Sequence, residues 1–265
     1  MSQTWEADNL VVVRSKNSGK YKRSFLRQVS CEFRFPTLLE LGDDRPPASF
    51  VSSLRKEYPT LERANELTLG VGVGTTGTSH SHIFKSARQD WVVSLKTSSF
   101  SVEALSYSGF DEFKARAARV IAAASKIIDS DFFTRVGLRY INVLNVSDKD
   151  ITRWINPDLV AATSQDKFIG VQSFTGKIQL GAPDGGCSLN HGAHPAIKSP
   201  NGPIEIDYVL DIDSWRNVVT TEDVSAAIDA VHSQAFDLFD WALGEDARAF
   251  LLSEPPKAIP AKLRR

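Results

Sequence analysis

Cysteine is nearly absent from the chain, with Cys31 and Cys187 the two in 265 residues. That scarcity excludes a disulfide framework or a cysteine-built metal cluster. Reduced thiols in a cytoplasmic protein are the economical expectation. Long apolar runs are missing as well, since no segment approaches the roughly 18 to 20 continuous apolar residues of a membrane span. The start, MSQTWEADNL, lacks the basic region and apolar core of a secretion signal. Net charge is lacking too: 31 Lys and Arg stand against 32 Asp and Glu, for a formal charge of −1. No global field therefore draws in nucleic acid or an anionic membrane, although a local patch still could. There is no G-x-x-x-x-G-K-[ST], no G-x-G-x-x-G after a strand, no H-E-x-x-H and no G-x-S-x-G. No catalytic residue, cofactor or resident metal is assigned on this basis.

What is present is ordinary globular material, 42% hydrophobic and 24% charged. Residues 1–28 carry Arg14, Lys16, Lys20, Lys22, Arg23 and Arg27 against Glu6 and Asp8, and read as a flexible basic leader. From there the chain divides into a first half, 29–147, a second half, 148–252, and an exposed tail, 253–265. In the first half Cys31, Phe33 and Phe35 alternate with Glu32 and Arg34 as a short strand ended by Pro36. A helix carrying Phe50, Val51, Leu54 and Tyr58 stops at Pro59. Leu67 to Gly72, His82 to Ser86, Trp91 to Lys96 and Phe100 to Leu105 predict an antiparallel meander. Phe110, Phe113, Ala117, Val120, Ile121, Ala124, Ile127 and Ile128 then form a wide apolar helical stripe.

The second half repeats strands, then helix. Lys167 to Phe174, Gly176 to Gly181 and Gly186 to His191 are short strand candidates, and 195–203 is a loop. In Ile204 to Asp213, Ile204, Ile206, Tyr208, Leu210 and Ile212 face one way and Glu205, Asp207, Asp211 and Asp213 the other. The last helix begins near Thr220 and is ended or kinked at Gly244. The predicted fold is thus α+β, with two antiparallel-sheet halves each covered by a long amphipathic helix, in an order that hints at internal duplication.

Residues 134–142, TRVGLRYIN, are the most informative stretch. Val136, Leu138 and Tyr140 share one face, Arg135 and Arg139 the other, and Gly137, which stands between the two arginines, permits close approach. The stretch is expected to close the first sheet. Its arginines are candidates for pairing with Glu205, Asp207, Asp211 or Asp213 across the halves or across a dimer interface. Asp211 and Asp213 on one strand face are also the spacing for a divalent cation or an acid/base pair; a solvated acidic face is the simpler account. His80 and His82, with His191 and His194, would give zinc four ligands if their loops met, with solvated turn histidines as the plain alternative. The glycine-rich stretch 70–77 lacks a lysine anchor and a following helix, and reads as a twisted strand and turn rather than a phosphate site.

VSCEFRF (29–35), the helix ending Tyr58-Pro59, residues 91–113, TRVGLRYIN, the DID strand and the helix bearing His232 and Phe236 together resemble a sporadically distributed, functionally uncharacterised bacterial protein family of about 260 residues. The resemblance spans most of the chain after residue 20 and departs in the opening strand, where Arg27, Gln28 and Cys31 replace a more acidic and aliphatic lead-in. It implies no catalytic residues. The family's patchy distribution resembles that of mobile, phage-defence or toxin-neutralising genes. The leading functional expectation is a noncatalytic binding or regulatory protein that recognises another protein or a second copy of itself. The alternatives are a nucleic-acid-binding protein using the basic leader and the arginine-bearing strand, and a metal-dependent hydrolase using Asp211 and Asp213. An enzyme is the less favoured class.

Overall fold

A computed structural model describes residues 3–68, 77–163, 168–198 and 202–255. Its strands are β1 (Leu26–Arg34), β2 (Thr60–Thr68), β3 (Gly77–Lys85), β4 (Trp91–Leu95), β5 (Ser99–Ala104), β6 (Phe132–Asn145), β7 (Phe174–Ala182), β8 (Gly185–Ile197) and β9 (Ile204–Thr220). The helices are α1 (Ala48–Leu54), α2 (Phe110–Ala124), α3 (Ile151–Trp154), α4 (Pro157–Val160), α5 (Val224–Ala242) and α6 (Glu245–Leu252). All nine strands belong to one sheet, in the order β2-β3-β4-β5-β1-β6-β9-β8-β7. Every pairing is antiparallel.

Two separate sheet halves, each with its own helix, are therefore not what forms. TRVGLRYIN does not close a first sheet; β6 lies inside the sheet, hydrogen-bonded to β1 on one side and to β9 on the other. The β6–β9 ladder runs from Phe132 opposite Thr220 to Asn145 opposite Asp207, which welds the halves along the full length of β6. The apolar alternation of a strand reports which face is buried but not which strand lies beside it, so the halves looked separable in sequence.

The helix cover is shared in the same way. Val224, Ala227, Ile228 and Val231 of α5 belong to the core cluster under α2, while Ala235, Leu238 and Ala242 belong to the cluster containing Leu189, Leu210 and Ile212. One helix of 19 residues, about 28 Å long, bridges both cores. Gly244 separates α5 from α6 and lies so close to the Arg153 and Trp154 backbone that a side chain there would overlap it.

β9 is longer than its apolar alternation because the inward residues after Ile212 are polar. Ser214 and Arg216 are both 0% exposed. The segment before β1, expected as a flexible basic leader, is packed on the same side of the sheet, with Trp5, Ala7 and Val11 buried. Its Asp8 satisfies Arg216: the guanidinium Nη2 and Nε reach Asp8 Oδ1 at 2.6 and 3.1 Å. Arg216 Nη1 and Ser214 Oγ both donate to Gln234 Oε1 of α5, and Gln234 Nε2 donates to the Ala7 carbonyl. Asp184, between β7 and β8, accepts from the Glu6 and Ala7 amides. The glycine-rich stretch 70–77 lies outside the described residues apart from Gly77, as do parts of the predicted 195–203 loop and most of the 253–265 tail.

A buried guanidinium that loses its carboxylate is costly, and the cost is moderated here by the 37% exposure of Asp8. Asp8→Ala is expected to lower the unfolding free energy by about 2 kcal/mol, read from urea denaturation. The neighbouring charge change Glu6→Ala should stay within about 0.5 kcal/mol.

Candidate functional site

The helices and the N-terminal segment pack on one face of the sheet. On the other face, among the described residues, Ser30, Glu32 and Arg34 of β1, Arg135, Gly137 and Arg139 of β6, and Asp211, Asp213 and Trp215 of β9 stand in register without a covering element. Gly137 is the pivot. A Cβ there would overlap the Arg135 guanidinium, so the missing side chain lets Arg135 lie across β6. In that pose Arg135 Nη2 donates to Asp213 at 2.7 Å and Nη1 to Glu32 at 3.3 Å. Its guanidinium also stands 5.4 Å from the Trp215 ring centroid, within cation–π reach. Trp215 in turn leans over Gly186 of β8, where a Cβ would strike the indole. Two glycines flanking a half-buried tryptophan thus create a flat aromatic and guanidinium centre.

Arg139 makes a bidentate pair with Asp211, Nε to Oδ1 at 2.7 Å and Nη2 to Oδ2 at 2.6 Å. Arg135 keeps only 18% side-chain exposure, whereas Arg139 keeps 50%. The hydrogen bonds that Arg139 donates to Asp211 hold its pKa above the ordinary value. Burial raises the Asp213 carboxyl, against the opposing pull of Arg135. Glu205 and Asp207 do not join this cluster: they pair with Lys198, at 2.6 and 3.1 Å, and both accept from Asn145. Tyr140 projects to the opposite face.

The histidines are not brought together. His80 and His82 lie on β3 and His191 and His194 on β8, with five strands between them, a separation of about 29 Å at 4.8 Å per strand. His191 Nδ1 bonds the Tyr208 hydroxyl at 2.7 Å. Among the described residues no group of three or more His, Cys, Asp or Glu is placed to hold a metal. No helix of the described residues is long and apolar enough to cross a membrane.

On the helix side of β6 lies a cavity of about 410 Å³. Its walls come from Ser18, Gly19 and residues 21–26, the loop 107–109, Phe110 at the start of α2, Tyr140 and Asn142 of β6, and His232, Ala235, Phe236 and Phe239 of α5. His232 is stacked on Phe110 with ring centroids 3.6 Å apart, and its Nδ1 meets the Tyr140 hydroxyl at 2.8 Å. Burial pushes the His232 pKa down to about 4, outweighing the nearby carboxylates of Asp229 and Asp111. Burial also lifts Tyr140 well above the ordinary phenol value. The sequence pattern alone singles out neither His232, Trp215, Glu32, Gly186 nor Asn142 as a site residue. The R-x-G spacing of 135–137 was the available signal for a side chain lying over a glycine.

Gly137→Ala should displace the Arg135 guanidinium from Trp215 and Asp213. The expected cost is about 1 kcal/mol of stability, together with a changed Trp215 emission relative to a Trp215→Phe control. His232 gives a pH signature. Its unfolded-state pKa lies near 6.5 and its folded value about 4, so the unfolded chain binds the extra proton in that window. Stability should therefore fall as pH drops from 6.5 to 4, by up to about 3 kcal/mol from this group. The difference between the wild-type and His232→Gln profiles of denaturation midpoint against pH isolates that contribution.

No protein-family model matches the chain, and no curated protein matches it either.

Proposed function

We propose that the chain is a noncatalytic recognition protein whose uncovered sheet face binds a protein partner, acting in the cytoplasm, where the buried thiols Cys31 and Cys187 stay reduced. The observation that carries this reading is the Trp215 and Arg135 pair at the centre of that face, stacked within cation–π distance and bounded by glycines. Tryptophan and arginine are the residue types most enriched where interfaces concentrate their binding energy. The surrounding charges, Glu32, Arg34, Arg139, Asp211 and Asp213, alternate in sign. Such a surface steers and selects a protein partner more than it adds raw affinity. A face of alternating sign also complements its own image under two-fold rotation, so a second copy of this chain belongs to the same partner class.

The alternatives draw less support. Asp211 and Asp213 both spend their carboxylates on arginines, which leaves neither free as a general base or metal ligand without breaking an ion pair. Of the cations invoked for nucleic acid, Arg14 is paired with Asp237, Lys22 with Glu254, and Arg135 and Arg139 as above.

Tagged wild-type protein recovered from its native cells should carry a stoichiometric protein partner, or run as a dimer in sedimentation. Trp215→Ala and Arg139→Glu, each folded by circular dichroism, should lose that partner or dissociate. A monomeric wild type without a stoichiometric partner, or retention by both variants, overturns the reading.

A further inference from the structure

The cavity on the helix side of β6 is lined by one side-chain amide that no described residue engages. Asn142 is 5% exposed and lines the cavity. Its side-chain amide makes no hydrogen bond to any described residue and opens onto the cavity rather than into closed packing. An asparagine amide offers an acceptor beside a donor, the edge that pairs bidentately with the N6 and N7 positions of adenine. Around it the walls are π surfaces: Tyr21, Phe25, Tyr107, Phe110, Phe236 and Phe239. Aromatic side chains of this kind stack on any planar base.

We infer that this cavity binds an adenine-bearing nucleoside, with the Asn142 amide reading the base edge and the aromatic walls enclosing the ring. The volume of about 410 Å³ lies in the range of small-molecule sites, about 300 to 1,000 Å³. A ligand of this class carries no charge, and the cavity is suited to that. Near neutral pH His232 is an unprotonated imidazole and Tyr140 a protonated phenol. The Asp240 carboxylate is consumed by Tyr21, Ser15 and Asn17. At the rim Lys22 is paired with Glu254, and the Arg23 guanidinium rests 4.6 Å over the Phe250 ring. The wall residues Ser18 and Ser24 offer hydroxyls to a ribose. This inference rests on the opposite side of the sheet from Trp215 and stands or falls independently of the partner reading.

Calorimetric titration of the full chain with adenosine tests it, alongside uridine and 7-deazaadenosine, which keeps the shape of adenosine but lacks the N7 acceptor. Adenosine should bind one to one. Loss of one edge contact in 7-deazaadenosine, or of the amide in Asn142→Leu, should each weaken binding about tenfold or more. Asn142→Leu should fold about as stably as the wild type, because leucine at 142 continues the buried apolar side of β6 formed by Leu138 and Leu144. In that variant adenosine and 7-deazaadenosine should bind alike. Absence of saturable adenosine binding, equal binding of 7-deazaadenosine to the wild type, or undiminished binding by a folded Asn142→Leu each overturns the assignment, as does preferential binding of uridine.

Discussion

The two ladders that flank β6 constrain the rest of the molecule. Hydrogen-bonded to β1 and β9, the strand has no freedom to slip, since a shift by one residue would put Arg135 and Arg139 into the core and Leu138 into water. With the register fixed, alternation assigns Val136, Leu138, Tyr140 and Asn142 to the helix side and Arg135, Gly137 and Arg139 to the open side. The candidate partner surface and the cavity are thus two faces of one strand. The same constraint explains why α5 serves both cores: once β6 and β9 pair in full, the sheet beneath the helix is continuous, and one apolar stripe can bury against both clusters.

Ion pairs on the open face contribute to the geometry of that surface more than to folding. The Arg139–Asp211 pair is half exposed on the arginine side, and pairs of that kind are worth about 0 to 1 kcal/mol. Arg135 is more enclosed and shares its charge between Glu32 and Asp213. Its worth lies in holding one rotamer, which a neighbouring glycine makes reachable and Trp215 supports. An arginine already fixed in place loses less side-chain entropy when a partner arrives. The buried pair on the helix side plays a different part, because Arg216 ties β9 to the N-terminal segment through Asp8 and to α5 through Gln234. There the cost of an unpaired guanidinium in the core adds to the burial of Trp5, Ala7 and Val11 in holding residues 5–11 in place.

Local periodicity made the strands around Phe33, Val93, Val102 and Leu138 legible, along with both long helices, because each buries an unbroken apolar face. Three features escaped for separate physical reasons. Strand neighbours are set by tertiary pairing, so the single sheet was invisible in alternation alone. The end of β9 buries Ser214 and Arg216, whose polarity breaks the apolar pattern although the period of two continues. The N-terminal segment looked solvated because its cations are numerous, yet its packing is carried by Trp5, Ala7 and Asp8. Of the candidate site, the two arginines and the acids of β9 could be named from sequence. Trp215 could not, since its role depends on glycines from β6 and β8 that lie beside it only in the folded sheet.

The position of the cavity follows from the joining of two cores over one sheet. Tyr140 packs against both clusters, and at that seam the wall is completed by the irregular segments 18–25 and 107–109 rather than by a helix. Irregular backbone cannot interdigitate along a regular ridge as helices do, so space at the seam is unsurprising. Its chemistry is less so. A packing gap is normally lined by aliphatic groups and stays dry, whereas here rings surround an amide that opens onto the space and that no described residue engages. Leucine or valine at position 142 would continue the apolar alternation of Leu138 and Leu144 and would cost nothing in hydrogen bonding. A polar residue standing where folding alone favours an apolar one is the feature by which this space differs from a defect in the core.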